Sequence, residues 1–144
     1  MDAFTPPLER TNGTLHELGL ATRPGDLIDA VKAGLSTDVF RTLVGALSIS
    51  EASLASVTGI SGTTLTRRKR SGYLSPAESE HVLRIATLLD RARQVFENAE
   101  GAAEWLKTPN LSLGDKTPLE YADTEVGARE VENLLGRIDY GVYS

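Results

Sequence analysis

Apolar side chains recur at intervals of three and four through most of this chain, the spacing of one buried helix face. Leu27, Ile28 and Val31 predict a short helix over about 26–33, with Pro24-Gly25 as punctuation before it and Gly34 as its stop. Val39, Phe40, Leu43, Val44 and Leu47 predict the next helix, which Ser36 can cap. Ser50 caps another through Val57, Gly59 ends it, and Ser61 caps a helix to about Ser71 that Gly72 breaks. Ser75-Pro76-Ala77-Glu78 is a capping box with proline at the first helical position. It opens the longest helix, which is expected to run to about Asn98 with Val82, Ile85, Ala86, Leu89 and Phe96 inward and Gly101 as its end. A short helix carrying Trp105 and Leu106 is stopped by Pro109. Thr117-Pro118-Leu119-Glu120 is a second capping box. A last helix is predicted from Asp123 or Thr124, burying Val131, Leu134, Leu135 and Ile138, with Gly141 as its C-cap. Residues 1–23 have weak periodicity and read as an arm, disordered or partly docked. Strand signals are nearly absent, so the expected class is all-α.

Within this pattern, residues 50–70 have the make-up of a helix-turn-helix. That geometry needs a small residue at the helix crossing, a turn residue that tolerates positive φ, and an apolar residue on the second helix facing the first. Ala55, Gly59 and Leu65 fill those roles; Thr58 departs from the pattern, because an apolar residue is usual there. The second helix would place Ser61, Gly62, Thr63, Thr64 and Thr66 at the groove end, followed by Arg67, Arg68, Lys69 and Arg70. Hydroxyls followed by cations suit hydrogen bonding to phosphate with charge neutralisation. A basic run late in a helix is also what a solvated face looks like, and part of this run is expected to face solvent.

Charge sharpens that choice. The chain has 144 residues, 40% of them hydrophobic, and a net charge of −5. Residues 50–75 hold four basic residues and one acidic, whereas residues 99–144 hold four basic and nine acidic. An isolated basic cluster can act on phosphates because screening limits distant acidic groups to about 10 Å at 0.1 M salt. Cysteine is absent, which excludes disulfides and thiolate metal sites. No signal peptide and no membrane-spanning apolar run is recognisable, so a cytoplasmic protein without a membrane partner is expected. The two histidines, His16 and His81, have no neighbour at metal-ligand spacing, and no nucleophile elbow, Walker or dinucleotide-binding glycine pattern occurs. Catalysis, a metal and a cofactor are therefore not expected.

The C-terminal third carries W-L-x-x-P-N-x-x-L-x-x-x-T-P-L and then G-x-x-x-V-x-x-L-L-x-x-I-x-Y-G. These are Trp105, Leu106, Pro109, Asn110, Leu113, Thr117, Pro118 and Leu119, then Gly127, Val131, Leu134, Leu135, Ile138, Tyr140 and Gly141. Their order and spacing resemble the toxin-binding domain of the Xre/MbcA/ParS antitoxins, and the likeness extends over about residues 35–144. The resemblance implies an Xre-like helix-turn-helix and dimerisation domain over 24–98, after the arm at 1–23, and a small helical toxin-binding domain over 99–144. It implies a type II antitoxin whose partner is a cognate RES-domain toxin that consumes NAD or ADP-ribosylates a target. The C-terminal end would occlude the toxin's NAD cleft, with Arg137, Asp139, Tyr140, Gly141, Val142, Tyr143 and Ser144 as candidate contacts. Tyr143 and the carboxylate of Ser144 would imitate part of the dinucleotide, and the acidic domain would complement a cationic cleft. A homodimer bound to palindromic operator DNA would repress the operon, although in some relatives the helix-turn-helix serves oligomerisation. The rival is a stand-alone helix-turn-helix regulator whose C-terminal domain only dimerises.

Overall fold

Side-chain caps divide the chain into helices, and most of the predicted caps form. The computed structural model describes residues 13–140. Helix α1 is Pro24–Ala33, α2 Thr37–Leu47, α3 Glu51–Val57, α4 Gly62–Ser71 and α5 Pro76–Phe96. Helix α6 is Ala99–Lys107, followed by a 3-10 turn at Leu111–Leu113, then α7 Pro118–Tyr121 and α8 Glu125–Asp139. Ser36, Ser50, Ser61, Ser75, Thr117 and Thr124 each accept a backbone N–H of the first helical turn. Each such cap contributes about 1 kcal/mol. Both predicted capping boxes close: the Ser75 N–H donates to Glu78 Oε1 at 2.9 Å and the Thr117 N–H to Glu120 Oε1 at 2.9 Å. Two isolated bridges, Ser36 with Tyr73 and Asn110 with Lys116, are the only extended pairings among the described residues.

Two boundaries differ from the sequence reading. Pro24 stands at the first position of α1, where its missing N–H has no helical partner to lose, so it starts the helix instead of preceding it. Helix α5 stops at Phe96 because Glu97 turns left-handed at φ 59°, and Asn98 then caps α6. Gly101 therefore lies inside α6, its N–H on the Asn98 carboxamide, and ends nothing. At the far end Tyr140 is the C-cap residue of α8; Gly141, expected in that role, lies outside the described residues.

Helix α5 is the axis of the molecule, packing against α1, α2, α6 and α8. Phe40, Leu43, Leu47, Val82, Ile85, Leu88, Leu89, Leu106, Val131 and Leu135 are fully buried in one continuous cluster. Residues 13–17 form a helical turn, and Leu15, Leu18 and Leu20 join the same core. Arg93 of α5 holds Glu17 at 2.8 Å, while the Thr14 hydroxyl and backbone N–H donate to Asp90. The part of the expected arm before Gly13 lies outside the described residues. Ile28, expected to face inward, is 54% exposed, and Phe96 and Trp105 are half-buried with ring centroids 5.6 Å apart.

Two glycines set close approaches. Gly34 has φ 100°, and a Cβ there would meet the Leu74 carbonyl oxygen at 2.3 Å. Gly127 lets the start of α8 cross the end of α7, where a Cβ would meet the Tyr121 carbonyl oxygen at 1.7 Å. Among the described residues no helix is long and apolar enough to cross a membrane.

Candidate DNA- and partner-binding surfaces

Helices α3 and α4 meet as the sequence requires for a helix-turn-helix. Ala55 and Leu65 are buried at the crossing, and Gly59 turns the chain at φ 72°. Thr58 is buried in the place of an apolar residue, its hydroxyl donating to the Leu54 carbonyl at 2.7 Å. That bond removes the desolvation penalty a buried hydroxyl would otherwise carry.

The candidate DNA ligands fall into two groups. Leu65 fixes the inner side of α4, and Arg68 and Lys69 flank that side on the helical projection. Arg68 makes a two-pronged pair with Glu78, Nε to Oε1 at 2.8 Å and a terminal nitrogen to Oε2 at 3.1 Å. Lys69 Nζ donates to Glu51 Oε1 at 2.7 Å. The opposite side carries Thr63, Thr66, Arg67 and Arg70, all exposed. Among the described residues neither Arg67 nor Arg70 has an ion pair. Ser61 and Thr64 belong to the cap: Ser61 Oγ accepts the Thr64 N–H at 3.1 Å, and their hydroxyls lie 3.0 Å apart. The Thr66 hydroxyl donates to the Gly62 carbonyl at 3.1 Å. Arg68 holds the Glu78 carboxyl below its ordinary pKa, with burial opposing and the Ser75 N–H assisting. Sequence reasoning missed Glu51 and Glu78 as partners; the available signal was the projection, which puts Arg68 and Lys69 beside Leu65.

The second surface is the end of α8. Its inner side, Val131, Leu134 and Leu135, is buried against the rest of the core. Arg137 is exposed, and Asp139 lies 3.8 Å from Arg91 of α5. Tyr140 is 87% exposed. Gly141, Val142, Tyr143 and Ser144 lie outside the described residues. A further exposed apolar residue, Leu111 at 85%, sits on the 3-10 turn that the Asn110 side chain caps. An open groove of about 600 Å³ runs between α1, α5 and α8 over Leu27, Ile28, Val31 and Leu83. His81 lies 3.0 Å from Arg84 one turn on, an ordinary helix-surface contact.

Fold and surfaces together define an all-α protein with an N-terminal helix-turn-helix joined through one long helix to a small helical domain. Residues 26–86 match the family described as the antitoxin Xre-like helix-turn-helix domain. Residues 84–141 match the antitoxin Xre/MbcA/ParS C-terminal toxin-binding domain. The chain is 38% identical to Antitoxin Xre of Yersinia enterocolitica and 29% identical to Antitoxin Xre of Photorhabdus laumondii, each over the whole of both chains. It is 24% identical to the Prs ADP-ribosylating antitoxin of a Sphingobium strain, over 84% of this chain and 82% of that one. The chain belongs to the Xre/MbcA/ParS family of antitoxins. It is thus the neutralising and regulatory member of a type II toxin–antitoxin pair, not an enzyme, and its partner is a toxin. A regulator whose C-terminal domain only dimerises does not account for a toxin-binding domain.

Proposed function

We propose that this antitoxin neutralises a RES-domain, NAD-consuming toxin by laying the end of α8 and the residues after it over the toxin's NAD cleft. The observation that carries this reading is the termination of α8. A helix anchored by Val131, Leu134 and Leu135 ends in an exposed Tyr140, which gives the last residues a fixed point of departure. Tyrosine combines contact area with a polar end and is favoured at binding hot spots. The excess of nine acidic over four basic residues in 99–144 suits approach to a cationic, dinucleotide-binding cleft. A relative named for an ADP-ribosylating system favours an NAD-consuming toxin. In this reading residues 99–144 supply the toxin contact and residues 24–98 self-association and DNA binding. A homodimer presents two copies of α4 to a palindromic operator and represses its own operon.

Deleting residues 140–144 tests the occlusion, because it leaves α8 and the Arg91–Asp139 pair in place. The truncated protein is expected to keep its helical circular dichroism and lose protection of toxin-expressing cells. Full rescue by the truncated protein defeats the occlusion reading.

A further inference from the structure

We propose that Arg68 and Lys69 are positioning residues, not DNA ligands, and that Thr63, Thr66, Arg67 and Arg70 form the face of α4 that meets duplex DNA. The inference rests on the DNA-binding reading of α4 given above. Four consecutive cations look equivalent in sequence, but the fold separates them. Arg68 and Lys69 reach sideways to carboxylates in the first turns of two neighbouring helices, Glu51 of α3 and Glu78 of α5. The orientation of α4 is thereby tied on both flanks.

The Arg68–Glu78 pair is the stronger tie. It is bidentate, and its side chains are only 26% and 16% exposed. Glu78 also accepts the Ser75 N–H that closes the capping box of α5. Moving Arg68 onto a phosphate would break two charge-assisted bonds and leave a half-buried carboxylate without its cation, so the exchange yields no net attraction. The Lys69–Glu51 pair is looser, at 41% and 36% exposed, yet it faces away from the outer stripe. Thr63, Arg67 and Arg70 stand at i, i+4 and i+7 on one exposed side, with Thr66 beside them. Two guanidinium groups without an ion pair among the described residues, beside the Thr63 hydroxyl, match the chemistry of a phosphate backbone.

Salt dependence separates the two roles. A cation that neutralises a phosphate releases counterions, so removing it lowers the slope of log K against log[salt] by about 0.9; a positioning cation does not change that slope. The full-length protein is titrated against a labelled duplex from its own upstream region, between about 50 and 200 mM salt, by fluorescence anisotropy. Arg67→Gln and Arg70→Gln are each expected to reduce the slope by about 0.9 per protomer, making binding less salt-sensitive over that range by roughly threefold for each protomer bound. Arg68→Gln and Lys69→Gln are expected to weaken binding with the slope unchanged. Glu78→Gln is expected to weaken binding as Arg68→Gln does, and the double variant to be no weaker than either single one. Lys69→Gln removes only an exposed pair, so it keeps the fold and the comparison even where Arg68→Gln does not. A slope reduction of about 0.9 per protomer in Arg68→Gln or Lys69→Gln overturns the proposal while leaving DNA binding intact. Tighter binding by Glu78→Gln, through a released Arg68, overturns it equally. If the unaltered protein shows no salt-sensitive preference for its upstream duplex over a scrambled one, the DNA-binding reading fails, and the assigned face fails with it.

Discussion

Replacing Gly127 with alanine puts one methyl group between α7 and α8. Its Cβ would stand 1.7 Å from the carbonyl oxygen of Tyr121 and 2.9 Å from the carbonyl carbon. Both neighbours are backbone, so no rotamer change relieves the clash, and α8 must move by more than an ångström. Alanine favours a helix interior over glycine by about 1 kcal/mol. Overpacking of a well-packed contact costs about 1–3 kcal/mol and more when backbone must shift. The second effect wins here, for a net loss of roughly 2 kcal/mol, or about 6 °C in melting temperature for a chain of this size. Gly136 in the same helix is the control. A Cβ there meets only Arg91 Nη2, at 3.8 Å, which is an ordinary contact. Gly136→Ala is expected to gain up to about 1 kcal/mol and melt about 3 °C higher. The pair is read by thermal unfolding followed by circular dichroism. A Gly127→Ala protein that melts at or above the unaltered one would show that α7 and α8 do not depend on this close approach.

Two further outcomes follow from buried polar groups. Thr58→Val restores the apolar residue usual before the turn glycine; the Leu54 carbonyl keeps the Thr58 N–H at 2.9 Å, so the loss in urea unfolding should stay within about 1 kcal/mol. A loss well beyond that would mean the hydroxyl bond itself holds the turn. Glu78 and Asp90 should oppose each other in pH dependence. Arg68 lowers the Glu78 pKa, so its contribution is present above the ordinary glutamate value and disappears as pH falls through the depressed one. Burial raises the Asp90 pKa against the Thr14 and Gln94 hydrogen bonds, so its contribution is present below the ordinary aspartate value and disappears as pH rises through the raised one. Glu78→Gln should flatten the acid loss of stability, and the urea midpoint of Asp90→Asn relative to the unaltered protein should climb from about pH 4 toward neutrality. A relative midpoint for Asp90→Asn that stays level or falls over that span contradicts the burial argument.

Most helix starts were legible because their caps are written locally; those of α1 at Pro24 and α6 at Ala99 were not. A serine or threonine followed three residues on by a glutamate places both partners of a capping box in four residues, as at Ser75 and Thr117. Helix ends were less legible. Gly101 looked like the stop of α5, but a non-glycine residue, Glu97, takes the left-handed conformation, and the Asn98 cap decides where α6 begins. The division of the basic run was hidden for a different reason. Glu78 lies ten residues beyond Arg68 and Glu51 eighteen before Lys69, so the pairings exist only after α3, α4 and α5 have packed. Gly127 was visible in the C-terminal pattern, but the carbonyl oxygen that requires it belongs to another helix.

The packing explains why two unlike surfaces share so short a chain. The two family matches, 26–86 and 84–141, meet within α5. Its first turn holds α4 through the Glu78–Arg68 pair, and its later turns pack α6 and α8. Val82, Ile85, Ala86, Leu88, Leu89 and Ala92 are buried along it without a break. A boundary through α5 would expose this apolar stripe on whichever half kept it, at about 25 cal/mol per Å². The position of α8, and with it the departure point of the proposed inhibitory residues, is therefore set by the same helix that the Arg68–Glu78 pair ties to α4.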